Sequence, residues 1–275
     1  MQERLALIKL SPRRVLDAGC GTGADTLFLK KRYPDTQVIG LDAAQPMLVQ
    51  ARGTQQAALS SLQRWLSRSV PLIVQSARGA AAGLVCGDFA QLPLASGAVD
   101  LIWSNLALHW HPCPDQVIAE WRRVIATDGL LMFSCFGPDT LKELRRAEDP
   151  ADYSARILPF VDMHDYGDML VAAGFATPVM DMEKITVTYT DSAKLLADVR
   201  ALGGNPLATR RRGLTGKALW RRTIDHIERQ RRTDGTIALT FEVIYGHAFR
   251  PAPKVTGRGE SIIRLDFPKK SPGTD

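Results

Sequence analysis

The chain has 275 residues, 45% of them apolar and 23% charged, with a net charge of +6; this is enough material for one large domain, or two small ones, around a sizeable core. No apolar run is long enough to span a bilayer, and the first residues, MQERLALIKL, interleave charge with apolar side chains. That is not the pattern of a secretory signal, so a cytoplasmic location is expected, with no membrane partner.

Arg14–Asp17 reads as a short buried strand, and Ala24–Tyr33 as a helix closed before Pro34. Gln37–Asp42 is a second strand ending in an acid, and Pro46–Arg52 opens another helix. Gly53–Ala82 is a polar excursion holding one amphipathic segment, LSSLQRWLSRSVPLIV. Leu84–Gly87 and Val99–Asn105 are the third and fourth strands; Pro114–Ile125 is a helix with Asp115 as its N-cap; Gly129–Phe136 is the fifth strand. Strands alternating with helices imply right-handed crossovers and a parallel sheet covered on both faces. Beyond it, helices are expected over Thr140–Ala147, Tyr166–Ala173 (stopped by Gly174), Ser192–Leu202 and Lys217–Arg231. Val179–Tyr189 and Ile237–Phe249 alternate as strands, and the Lys-, Pro- and Gly-rich end after Phe267 is expected to fray. Cys20, Cys86, Cys113 and Cys135 are scattered without a Cys-x-x-Cys pair, which favours reduced thiols over disulfides or zinc.

The stretch VLDAGCGTGADTL places three glycines between a strand and a helix. Glycines there let the backbone turn sharply and let a ligand touch the main chain near the helix N-terminus. A P-loop is excluded, because no Gly-Lys-Ser/Thr follows. Two cofactors fit. Gly19-x-Gly21-x-x-Ala24, with Asp42 further on, matches the looser dinucleotide fingerprint. S-adenosylmethionine also has a ribose, for which Asp42 would be a bidentate acceptor, but it has no pyrophosphate. Asp88 follows strand three, where an acid can accept from an adenine amino group, and Phe89 can pack on the ring. Asn105 ends strand four, with His109 and Trp110 just beyond.

LDAGCGTG, LDAAQPML, GDFAQLPLASGAVDLIWSNLALHW and DGLLMFS resemble, in order and spacing, the consecutive motifs of class I S-adenosylmethionine-dependent methyltransferases. The resemblance implies an α/β Rossmann-like fold: a mostly parallel seven-stranded sheet, helices on both faces, and an acceptor-covering insertion after strand five. It assigns cofactor binding to Asp17, Gly19, Gly21, Thr22 and Gly23 in the loop. Asp42, Ala43 and Met47 would serve after strand two, with Asp88, Phe89 and Asn105 beyond. The family carries one or two helices ahead of its first strand; thirteen residues precede Arg14 here, so either a late start of the sequence or a reduced cofactor lid is expected.

SCFGPDTLKELR, FVDMHDYGDMLVAAGF, ITVTYTDSAKLLADVRALGGNP, GLTGKALWRR and LTFEVIYGHAF extend the likeness, resembling the malonyl-[acyl-carrier protein] O-methyltransferases of biotin synthesis over nearly the whole chain. This implies esterification of the free malonyl carboxyl. A carboxylate is already ionised at neutral pH, so the enzyme needs a cation or donor to orient it: Arg145 or Arg200, with His109 or Trp110 as donors. His109 and His111 lack a third ligand nearby, so no metal is expected. LALHW, FGPDTLKELR and DGTIALTFEVIYGHA also resemble a complex I assembly factor family described as an arginine hydroxylase, which keeps the same fold. A non-catalytic subunit of this fold, or a methyltransferase of another small acceptor, stays open as well.

Charge bears on the partner. Thr209–Arg232 holds nine Lys or Arg against two acids, and Trp220 is the only ring among them. Thin aromatic content argues against nucleic acid; a basic face steers an acidic protein, here the acyl carrier protein docking on Arg210–Arg232. The expected organisation is a cofactor-binding core over 1–136, an acceptor-covering region over 137–235 with the sixth strand at 179–189, a C-terminal strand region over 236–267, and a disordered tail over 268–275.

Overall fold

A computed structural model describes residues 1–58, 82–145, 158–203 and 216–253. Seven strands form one sheet: β1 (Arg14–Ala18), β2 (Gln37–Asp42), β3 (Gly83–Cys86), β4 (Val99–Asn105), β5 (Ile125–Phe136), β6 (Ala176–Tyr189) and β7 (Ile237–Phe249). Their order is β3-β2-β1-β4-β5-β7-β6. The first five run parallel, and β7 lies antiparallel to both β5 and β6. The helices are α1 (Gln2–Ala6), α2 (Ala24–Arg32), α3 (Gln45–Ala58), α4 (Pro114–Val124), α5 (Lys142–Arg145), α6 (Met163–Ala172), α7 (Ser192–Ala201) and α8 (Lys217–Arg229), with a 3-10 turn at Leu108–Trp110.

Side chains alternate across a strand, and the cores follow that rule. Leu16 and Ile102 face one cluster with Ile118, Trp121 and Tyr166 from α4 and α6. Their neighbours Val15, Leu101 and Trp103 face the other, with Leu5 of α1 and Leu29 of α2. A third cluster joins Leu195 and Leu196 of α7 to Ile227 of α8 and Leu239 of β7. Helices thus cover both faces, as the alternating pattern predicts, and among the described residues none is long and apolar enough to cross a membrane.

The structure corrects several local expectations. Asp115 does not cap α4: Cys113 precedes the helix without a side-chain cap, and Pro114 opens it. Proline has no N–H to satisfy, and its fixed φ suits the first helical position. α3 continues past Arg52 through Gly53 to Ala58, with Leu48 and Ala51 as its buried residues; the amphipathic segment at 59–74 lies outside the described residues. The thirteen-residue head contains α1, whose Leu5 is fully buried. The ends expected at Ala147 and in the 268–275 tail fall outside the described residues. Gly174 does stop α6, at φ +83, the left-handed conformation that suits glycine.

Candidate active site

The glycine loop runs from the end of β1 to the start of α2, and its three glycines all have φ between +53 and +82. Two are also there for space. A Cβ on Gly19 would lie 2.3 Å from the Ala107 Cβ on the loop leaving β4, and one on Gly23 would lie 2.9 Å from the Ala51 Cβ on α3. Gly21 has nothing within 4 Å of that position and leaves open room above the loop. Its N–H donates to Asp42 Oδ2 at 2.9 Å, while Ala44 N–H donates to Oδ1 at 2.8 Å. Asp42 is therefore clamped between the loop and the start of α3, with lone pairs remaining for a ligand's hydroxyls.

A cleft of about 660 Å³ opens beside this loop. It lies at the carboxyl ends of the strands where the order reverses between β1 and β4, the customary ligand crevice of such sheets. Asp17, Asp25, Asp42 and Asp88 line it, and among the described residues no Lys or Arg does. Asp88 Oδ1 accepts from Ala90 N–H at 2.8 Å. Phe89 stands edge-on to Trp121 with ring centres 5.9 Å apart. Asn105 is oriented from both ends: its Oδ1 accepts from Ser134 Oγ at 2.5 Å, and its Nδ2 donates to Asp25 Oδ2 at 2.7 Å. Gln2 of α1 reaches the other Asp25 oxygen at 3.3 Å. Asp17 has 1% of its surface exposed; burial pushes its carboxyl up to about 7, although the Thr26 hydroxyl donates to it at 2.5 Å.

An acidic lining with no facing cation among the described residues disfavours a pyrophosphate, without by itself excluding one held on backbone N–H groups. It suits a ligand that carries positive charge, ribose hydroxyls and a flat ring. Thr22, Ala43 and Met47 also line the cleft, whereas Gly23 is turned toward α3. Asp25, Leu106, Ala107, His111, Leu202 and Gly203 line it without having been expected. Asp25 carried a signal, an acid in the first turn after the loop; Leu202 and Gly203 carried none, because they come from the far end of the chain.

Beyond Trp110 the surroundings change. His109 is 5% exposed and packs against Trp110, Phe136 and Phe160 with ring centres 5.0, 4.6 and 5.7 Å away. Its Nδ1 faces the Phe136 N–H at 3.4 Å, and its Nε2 has no partner. Burial drives its pKa down to about 3, so the ring is neutral at physiological pH and Nε2 is the nitrogen left to carry the proton. The Arg145 guanidinium lies 5.3 Å from the Phe160 ring centre and donates to the carbonyls of Pro138 at 2.7 Å and Leu158 at 3.2 Å. Arg145 thus joins the cluster around His109. Arg200 does not: its guanidinium lies 4.7 Å over Trp220. Among the described residues no three His, Cys, Asp or Glu side chains gather where they could hold a metal ion.

Residues 16–133 match the family described as a methyltransferase domain. The fold is shared with the YcgJ protein of Bacillus subtilis, at a TM-score of 0.61 and 16% identity over 92% of this chain and 100% of that one. The fold, the glycine loop and the domain match together define an S-adenosylmethionine-dependent methyltransferase. A relative from Laribacter hongkongensis (strain HLHK9) is 48% identical over 92% of this chain and 81% of its own; one from Gallionella capsiferriformans (strain ES-2) is 47% identical over 97% and 87%. Both are named malonyl-[acyl-carrier protein] O-methyltransferase, and the chain belongs to that family, the first of the two that its second half resembles. Its cofactor is S-adenosylmethionine, and the residues present fit that group. The cleft is acidic, the space above Gly21 is free, Asp42 and Asp88 stand at the ends of adjacent strands, and Phe89, edge-on to Trp121, lines the same cleft.

Proposed function

We propose that this protein methylates the free carboxyl of malonyl-acyl carrier protein, the ester that masks a charge at the start of biotin synthesis. The observation that supports it most is the pairing, beside one wall, of an acidic cofactor cleft with an aromatic cluster containing Arg145 and an unpartnered His109 Nε2. When bound, S-adenosylmethionine supplies an electrophilic methyl group on a cationic sulfur.

The chain's own residues do the rest. Asp42 holds the ribose hydroxyls, Asp88 and Phe89 hold the adenine, and Asp17 and Asp25 face the amino-acid end, with Gly19, Gly21 and Thr22 forming its backbone cradle. Asn105 fixes Asp25. The acceptor carboxylate is itself the nucleophile, so no residue has to remove a proton. Its difficulty is approach, since it must come near four aspartates. Arg145 offsets that repulsion and His109 donates through Nε2–H, turning one oxygen toward the methyl carbon within about 3–3.5 Å. Trp110 lines the cleft and packs against His109 behind it. Arg200, on its perch over Trp220, takes no part in holding the carboxylate. Region 137–235 covers the acceptor, and the exposed Arg221 and Arg222 on α8 receive the acidic carrier; Arg210, Arg211 and Arg212 of that segment lie outside the described residues.

The test incubates the protein with S-adenosylmethionine and malonyl-acyl carrier protein and looks by intact mass and fragmentation for a methyl ester on the malonyl group. Formation of that ester is expected. An unmodified malonyl group, with methyl transferred to another acceptor, would overturn the reading.

A further inference from the structure

Three of the large apolar side chains that the described fold leaves exposed stand on the rim of this one cleft: Met47 at 41%, Leu106 at 37% and Leu202 at 42%. Met47 belongs to α3 and the β2 side, near the ribose acid. Leu106 and Leu202 stand across from it with Trp110, on the side of β4 and β5, toward the cluster of His109 and Arg145.

The fold holds both leucines there deliberately. Leu106 has φ +52, a conformation that side chains with a Cβ seldom adopt and that clusters at functional sites. Its N–H is fixed to β5 by the Ser134 carbonyl at 3.0 Å and the Ser134 hydroxyl at 3.1 Å. Leu202 follows the last residue of α7. The next residue, Gly203, has φ +129, and a Cβ there would lie 2.8 Å from Trp110 Cη2. Only glycine lets the backbone press against the indole, and that contact sets Leu202 beside Trp110 at the cleft.

This mouth has a defined chemistry. It is apolar, no Lys or Arg among the described residues lines the cleft, and the aspartates inside repel anions. A phosphate or free carboxylate has no partner here, whereas a neutral chain with a polarisable sulfur does. We propose that Leu106, Trp110 and Leu202 form a clasp for the thioester end of an acyl-pantetheine arm. The clasp reads the thioester, while Arg145 and His109 read the acid. It rests on the malonyl-thioester reading above and deepens it: the clasp is what separates a malonyl thioester from free malonate.

The experiment uses the full chain with malonyl-pantetheine and free malonate as acceptors, and measures cofactor binding by calorimetry. Leu202→Ala should raise KM for malonyl-pantetheine about tenfold, the loss expected when roughly half a leucine side chain is no longer covered. The Kd for S-adenosylmethionine should stay unchanged, which also shows that the variant folds. Leu202→Met, which keeps an apolar side chain of similar volume, should restore most of the KM. Wild-type protein should leave free malonate unmethylated. An unchanged KM in Leu202→Ala would remove the clasp alone. A weakened cofactor Kd with KM for the thioester unmoved would give this rim to the cofactor instead, again overturning the proposal. Failure of the wild type to methylate any malonyl thioester would strike the underlying reading, a result distinct from either.

Discussion

Asp17 ends up in an uncomfortable place. It is 1% exposed, and Asp25 and Asp42 add repulsion to the penalty of burial, so its carboxyl is raised from 3.8 to about 7 even though Thr26 donates to it. The consequence for stability has a definite sign. Between about pH 4 and pH 7 the unfolded chain has lost this proton and the folded one still holds it. The folded state therefore binds more protons, and Asp17 makes the protein less stable as pH rises through that window. Asp17→Asn, whose carbonyl still accepts from Thr26, should remove that contribution. Chemical denaturation of both proteins from pH 5 to 8 checks it: the stability difference between variant and wild type should grow in the variant's favour with pH. A difference that stays flat would mean that Asp17 is already ionised throughout. The identity of this residue was readable in the sequence, as the acid closing the first strand before the glycines. Its pKa was not, because the burial and the two neighbouring acids come from separate strands and helices.

Between elements, the tightest fit in the sheet is a glycine facing an aromatic ring. Gly246 in β7 pairs with Phe133 in β5, and a Cβ on it would lie 2.4 Å from Phe133 Cζ and 3.0 Å from the Met180 sulfur of β6. Phe133 is fully buried against Trp121 and Tyr166, so it has nowhere to retreat. Gly246→Ala should destabilise the fold by about 1–3 kcal/mol, the usual cost of overpacking a filled core, despite alanine's lower entropy in a strand. Urea unfolding would reveal it as a shifted midpoint with the slope retained; a neutral or stabilising substitution would show that the ring can swing aside. Local patterns made most elements legible: the alternation of β7, the apolar runs of the central strands, the Gly174 stop. What escaped depended on contacts between distant elements. One side of the cleft was legible because Asp17, Asp42 and Asp88 stand at or just beyond the carboxyl ends of β1, β2 and β3. Beyond Trp110 the sequence named His109, Trp110 and Arg145 but not how they meet, since Phe160 links Arg145 to His109 and Gly203 meets Trp110 only through packing of segments far apart in the chain.

Across the whole molecule, charge is sorted by task. The net charge is +6, yet the cleft is lined by four aspartates, so the positive charge resides elsewhere, with Arg221 and Arg222 exposed on α8. α8 packs with α7 in one apolar cluster, and the end of α7 reaches the cleft at Leu202 and Gly203. The basic surface and the mouth of the site therefore belong to one packed unit. A field of this kind acts at a distance and chiefly raises the rate of encounter with an oppositely charged partner; it does little for a small neutral-armed thioester. Arg221→Glu with Arg222→Glu should raise KM for malonyl-acyl carrier protein about tenfold at low ionic strength, with the Kd for S-adenosylmethionine unchanged. The effect should shrink toward that of wild type as salt shortens the Debye length to a few ångströms, ~3 Å at 1 M. KM for malonyl-pantetheine should move by less than about twofold, because that substrate lacks the acidic body the arginines attract. Steady-state kinetics with both acceptors across a salt series decides it. Equal increases for the two acceptors, or an increase that salt leaves untouched, would show that α8 supports the site through packing and that the carrier protein docks on another face.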